Sequence, residues 1–273
     1  LGQYNIFTSL IQGCPFILNL ENNKSRANCG NTKKTEEFES IISSNETTII
    51  FDGNPNHNYS KILKQSLNDA LAMKTTIDKG VLKMKGLSGR KFRIMINSLI
   101  KLIVEPKYLE IGTWLGSTAC SALYGNNIHI TCIDNFSQNF LPKLDPEKEF
   151  KKNINKYINK NSSFSLIKKD FRDIEYNKLV NHNIFFFDGP HHYKDHYDAI
   201  SMVSPSMDEN FLMIIDDWNW KQVREATHEA INNCKLKIIS SIEIKTTQDD
   251  SSSLFIGEHS DWHQGCIFFN IQK

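Results

Sequence analysis

The sequence predicts an α/β fold: a Rossmann-like, mainly parallel sheet of seven strands with an antiparallel last strand, helices on both faces and a small N-terminal extension. Three observations predict it. Short apolar runs alternate with helix-length segments from residue 107 onward. The stretch Tyr108-Leu-Glu-Ile-Gly-Thr-Trp-Leu-Gly-Ser-Thr118 passes from strand to helix through Gly112 and Gly116, where the backbone can turn sharply and a ligand can come close. Beyond it, Ile130-Thr-Cys-Ile-Asp134 ends a second strand on a carboxylate, 22 residues after Gly112 and about one strand–turn–helix–strand unit away.

Taken in order, residues 1–58 read as the extension and 59–273 as the main domain. Pro15–Leu20 and Thr47–Asp52 have strand character, with a short helix at Lys34–Ser43 between them. Such a fragment is too small to hold a core alone, so it is expected to pack on the main domain. Gly53–Asn58 has turn composition. Residues 59–83 read as a helix with Ile62, Leu63, Leu67, Ala70 and Leu71 on one face. Met84–Gly89 breaks the pattern, and Ser88 can cap a helix striped by Phe92, Met95, Ile96, Leu99, Ile100 and Ile103, which Pro106 closes.

From there the strands are expected at 107–111, 128–134, 163–168, 183–188, 211–216, 236–244 and 265–271. Helices fit at 116–124, 147–160, 192–203 and 218–233, and alternation on this scale implies a parallel sheet covered on both faces. No helix fits between the last two strands, so the final one should run antiparallel. The connection 245–264 is long for a hairpin and reads either as a lid or substrate wall or as a disordered tip.

Composition narrows the function. At 273 residues the chain can bury a sizeable core, and a net charge of +1 supplies no field for nucleic acid or an anionic membrane. Six cysteines without a C-x-x-C pair suit free thiols in a reducing compartment. The longest apolar region, Ile94–Val104, is too short and too polar to span a bilayer. A cytoplasmic protein follows as the expectation, although the start at Leu1 leaves the natural N-terminus open. The oligomeric state is equally open, a homo-oligomer included.

Glu110-x-Gly112-x-x-x-Gly116 followed by Asp134 resembles class I S-adenosylmethionine (SAM)-dependent methyltransferases. Over roughly residues 85–271 the chain is similar to the small-molecule O-methyltransferases related to macrocin O-methyltransferase. The resemblance implies SAM as donor and a hydroxylated small molecule, a sugar among the options, as acceptor. It places the Gly-Leu-Ser-Gly loop at 86–89 near the cofactor, where the sequence alone would also allow a plain capped linker. It also implies a cofactor site at Glu110, Gly112, Thr113, Gly116 and Ser117, continued by Asp134, Asn135, Asp170, Phe171 and Asp188.

Four strand ends carry acids, which would repel one another along one edge unless hydroxyls, amines or a cation satisfied them. Asp134 suits the ribose hydroxyls, Asp170 with Phe171 the adenine, and Glu110 the glycine loop and the donor's amino group. Asp188, Asp216 and Asp217 form a second cluster, whose oxygen donors suit Mg²⁺ or a similar ion. The resembled family binds a divalent metal at these positions, which would hold and acidify the acceptor hydroxyl. The alternative is a hydrogen-bonded acid pair capping the next helix.

One departure stands out. The family reads Asp-Gly-Asp-His where this chain has Asp188-Gly189-Pro190-His191, so Pro190 removes one candidate base. Beside Asp188, His191 or His192 could take that catalytic role, or both could face solvent at a helix start. Trp114, Trp218 and Trp220 can wall a substrate pocket or simply pack. Two other functions remain open: a nucleotide-binding domain without catalysis, and a metal-independent transferase acting on nitrogen.

Overall fold

The structure is a computed structural model and describes residues 47–138 and 140–273. The strand expected at Pro15–Leu20, the helix at Lys34–Ser43, Cys14 and Cys29 lie outside the described residues. The described residues belong to one compact unit, Asn45–Lys273.

Five parallel strands form the centre. They are β2 (Lys107–Ile111), β3 (His129–Ile133), β4 (Ser163–Ile167), β5 (His182–Phe187) and β6 (Met207–Asp216). With β1 (Thr48–Gly53), β7 (Lys237–Lys245) and β8 (Cys266–Gln272) they make one sheet in the order β1-β7-β8-β6-β5-β2-β3-β4. The last strand, β8, runs antiparallel between β6 and β7, as the missing helix between β7 and β8 requires. Among the described residues the sheet has eight strands, one more than expected. The extra one is β1, which pairs antiparallel with β7 from Thr48 opposite Lys245 to Gly53 opposite Ser240.

The side-chain alternation of the central strands divides the core. Tyr108, Phe186, Leu212 and Ile214 face the layer of α1 (Asn58–Leu71), α3 (Arg90–Leu102), α4 (Ser117–Leu123) and α5 (Pro146–Tyr157). Leu109, Phe185, Phe187, Met213 and Ile215 face α6 (Tyr193–Val203) and α7 (Lys221–Asn233). Burial on both faces explains why these strands read as unbroken apolar runs.

Two local expectations change. The helix expected over 59–83 stops at Leu71, because Met73 turns left-handed (φ 52°), and resumes only as the short α2 (Lys79–Leu82) behind the Asp78 cap. Ser88 does not cap α3; the N-cap is Gly89 and makes no side-chain capping bond. The first turn of α3 is satisfied from the 245–264 connection instead: Arg90 N donates to Ser260 O (2.8 Å) and Phe92 N to Asp261 O (3.1 Å). The Asp261 carboxylate adds ion pairs to Arg90 and Lys91. Ser260 and Asp261 thus fasten that connection to α3.

Candidate active site

The C-terminal ends of β4, β3, β2, β5 and β6 stand side by side, about 4.8 Å per step, and carry Asp170, Asp134, Gly112, Asp188 and Asp217 in that spatial order. They border a cavity of about 340 Å³, the size of a small-molecule site. Of the expected cofactor residues, Gly112, Thr113, Ser117, Asp134, Asn135, Asp170, Phe171 and Asp188 line it. Glu110 and Gly116 do not.

Glu110 works from below. It is fully buried, accepting from Tyr108 Oη (2.8 Å) and Thr118 Oγ1 (2.9 Å), and so ties β2 to α4 beneath the loop. Burial pushes its carboxyl up to about 7, against the lowering effect of these bonds. Gly116 is the left-handed N-cap of α4 (φ 81°). Gly112 is left-handed too (φ 83°), and a Cβ there would stand 1.9 Å from Asp188 O, so only glycine lets β2 and β5 end side by side.

Asp134 organises this loop. Its Oδ2 accepts from the backbone N–H groups of Thr113 and Trp114, both at 2.8 Å, and its Oδ1 from Phe136 N at 2.7 Å. Trp114 is held left-handed (φ 41°) and stacks edge-on against Phe140 at the cavity wall. Asp134 thus combines a place in the wall with the job of fixing the loop, where sequence suggested the ribose hydroxyls alone. Across the cavity, Asn135 Nδ2 reaches Asp170 Oδ2 at 3.4 Å.

The β5 and β6 ends differ from expectation. Among the described residues no three His, Cys, Asp or Glu side chains are grouped to hold a metal ion. The expected set of Asp188, Asp216 and Asp217 is not assembled, for a backbone reason. Asp217 leaves the strand in the left-handed conformation (φ 57°), and its side chain lines the cavity while that of Asp216 does not. Asp217 Oδ2 lies 2.9 Å from His191 Nδ1, and Oδ1 lies 4.0 Å from His263 Nε2. Its two oxygens thus face imidazoles. Asp216 is buried, with Oδ2 unpartnered, and burial and then Asp217 push its carboxyl well up. Burial, followed by Asp216 and Asp217, pushes Asp188 up as well.

His191 is the expected base that reaches the cavity; His192 does not line it. His192 is the N-cap of α6, and its N–H goes to Asp195 Oδ2 at 3.1 Å. Burial alone lowers the His191 pKa, but Asp217 and then Asp195 outweigh it and the net shift is upward. Asp217 is lowered in return: burial raises it, and His191, His263 and His196 more than reverse that. The His191 Nδ1 is buried and, although close to Asp217, is not aligned for a directed hydrogen bond. Contacts of this kind tighten on ligand binding. Trp220 lies edge-on to the His191 ring (4.9 Å) in the same wall. Trp218 is instead fully buried, giving its Nε1–H to Glu243 Oε2 at 2.8 Å.

Sequence reasoning did not single out His263. Its Nδ1 accepts from Gly257 N (2.9 Å), which places the proton on Nε2, facing Asp217. Only the length of the 245–264 connection and its acids and histidines pointed there.

Residues 109–218, which contain the glycine loop, Asp134, Asp188, His191 and Asp217, match the family model of a methyltransferase domain. The match spans 110 of the chain's 273 residues. No curated protein matches the chain. Among solved structures, TrmN from Thermus thermophilus is similar at 11% identity and a TM-score of 0.43, over 76% of this chain and 52% of that one. The precorrin-6y C5,15-methyltransferase from Geobacter metallireducens is similar at 12% identity and a TM-score of 0.45, over 67% of this chain and 89% of that one. A TDP-rhamnose 3'-O-methyltransferase of calicheamicin biosynthesis gives 13% and 0.39, over 66% and 87%. The chain spans about half the length of the TrmN structure. Among the described residues, no helix is long and apolar enough to cross a membrane.

Proposed function

We propose that the protein transfers a methyl group from SAM to a hydroxyl oxygen of a small molecule, with His191 as general base and Asp217 as the carboxylate that orients it. The observation that carries this reading is the 2.9 Å approach of His191 Nδ1 to Asp217 Oδ2 in the wall of the cavity that the glycine loop also borders. SAM supplies an electrophilic methyl group on a sulfonium. Asp217 favours the tautomer with the proton on Nδ1, so Nε2 carries the free lone pair. His191 Nε2 takes the acceptor's proton as its oxygen attacks the methyl carbon, and Asp217 stabilises the imidazolium that results. The S–C bond breaks with its electrons staying on sulfur, and no charge is left on the methylated oxygen.

Assistance by a divalent cation was the sequence expectation, and the donor set does not fit it. Asp217 faces two imidazoles and Asp216 stands outside the cavity wall, so no step is assigned to a metal. Asp188 lies at the neighbouring strand end, where its carboxyl suits the positive groups of the donor.

A hydroxylated small-molecule library incubated with methyl-labelled SAM tests the reading by product mass. The expected result is an O-methylated product formed by the natural chain and lost with His191→Ala while SAM still binds. Products methylated only on nitrogen, or SAM binding without turnover on any acceptor, would overturn it.

A further inference from the structure

Arg93 is a charged side chain with no exposure, set in the first turn of α3. Its Nη1 donates to the carbonyls of Val81 (2.9 Å), Leu82 (3.2 Å) and Met84 (2.7 Å), and its Nε to Ser88 Oγ (3.0 Å). Nη2 is buried and has no partner. Burial pushes the guanidinium down to about 10, opposed chiefly by Glu258, whose Oε2 accepts from Gly86 N. A buried cation without an adjoining counter-charge is costly, and a bound anion would offset that cost.

Arg93 Nη2 and Ser117 both pack closely against Gly86: a Cβ there would stand 3.2 Å from Nη2 and 2.3 Å from Ser117 Oγ, so this position has no room for a side chain. Ser88 Oγ, which accepts from Arg93 Nε, lies 2.9 Å from Ser117 Oγ. Ser117 lines the cavity together with Leu87 and Thr113. Because Ser88 Oγ accepts a hydrogen bond from the guanidinium, its own hydroxyl hydrogen is free to point at Ser117. The Ser117 hydrogen is then free to point at a ligand. The chain of donors runs from cation to cavity and asks for a negative acceptor. The donor assigned above has one such group, the carboxylate of its amino-acid end; its sulfonium and ammonium belong with the acids.

We propose that Arg93, acting through Ser88 and Ser117, is the positioning residue for the carboxylate of the methyl donor. The inference rests on the proposed use of SAM, and its test keeps the two apart. Calorimetric titration compares SAM with decarboxylated SAM, which keeps the adenosine, the sulfonium and the amine. The natural chain is expected to prefer SAM at least tenfold. Arg93→Gln and Ser117→Ala are each expected to bring the two ligands within about threefold, chiefly by weakening SAM, because a lost charge-assisted hydrogen bond is worth about that ratio. A role confined to packing would weaken both ligands alike and leave the ratio standing.

Arg93→Gln also removes bonds to the 81–84 turn. Ser117→Ala keeps them, so its ratio decides the matter if Arg93→Gln does not fold. Equal affinity of the natural chain for both ligands, or a ratio that survives Ser117→Ala, would overturn the role of Arg93 while leaving SAM as donor. Failure to bind either ligand or S-adenosylhomocysteine would overturn the donor assignment and this inference with it.

Discussion

His191 Nδ1 lies 2.9 Å from Asp217 Oδ2, and the two residues reach each other from the ends of adjacent parallel strands. The pair sets a pH dependence. The imidazole must be neutral to accept a proton, so turnover should rise with pH through its pKa. Asp217 raises that pKa, which puts the acid limb of the rate profile above about 6.5, the ordinary imidazole value. His191→Ala should lower kcat by about 10²–10⁴ with SAM affinity retained by titration. Asp217→Asn should lower kcat and also move the acid limb to lower pH, because it removes the negative charge. A limb that stays in place in Asp217→Asn would separate the pair.

Asp134 makes a different prediction, on the loop. Its carboxylate receives three backbone N–H bonds and holds Trp114 in a left-handed conformation. Asp134→Ala should cost roughly 2–4 kcal/mol of stability and weaken SAM binding. Chemical denaturation and titration read the two effects. Unchanged stability would mean that the loop holds its shape without the carboxylate.

Much of this was legible because burial on two faces writes itself into sequence. Phe185–Phe187 and Met213–Ile215 could only be central strands, and the acids that follow them mark the strand ends. The start of β6 was not legible, since Asp208, Glu209 and Asn210 interrupt the apolar run. The anchoring of the 245–264 connection was hidden for another reason: Ser260 and Asp261 dock on α3 through carbonyl oxygens, which every residue has. The fate of the second acid cluster depended on one backbone conformation, that of Asp217, and adjacency in sequence gave no sign of it.

Glu110 should make stability depend on pH. Its folded pKa, about 7, is raised above the ordinary value near 4.3 by burial, so folding favours the protonated form. The contribution is fully present below about pH 4.3 and is lost as pH rises through 7, amounting to roughly 3 kcal/mol over that span. Glu110→Gln cannot ionise and should flatten this part of the profile. Melting temperatures of the two chains from pH 5 to 8 give the comparison. Parallel curves would show that Glu110 keeps its charge in the fold.

Asp216 and Asp217 provide the sharpest contrast, because a shared cation and a His191–Asp217 pair predict opposite patterns. If both acids ligated a metal, Asp216→Asn and Asp217→Asn would each cut turnover, and a chelator would abolish it. In the structure only Asp217 lines the cavity and faces His191. Asp216 is buried, and its carboxyl is raised by burial and by Asp217, which favours the neutral acid that asparagine resembles in size and charge. Asp216→Asn should therefore keep turnover within about threefold (less than 1 kcal/mol of barrier), and Asp217→Asn should lose far more. Turnover should also survive a chelator. Loss of activity in chelator with recovery on Mg²⁺, or equal losses in the two variants, would restore the three-carboxylate site and remove His191 from the chemistry.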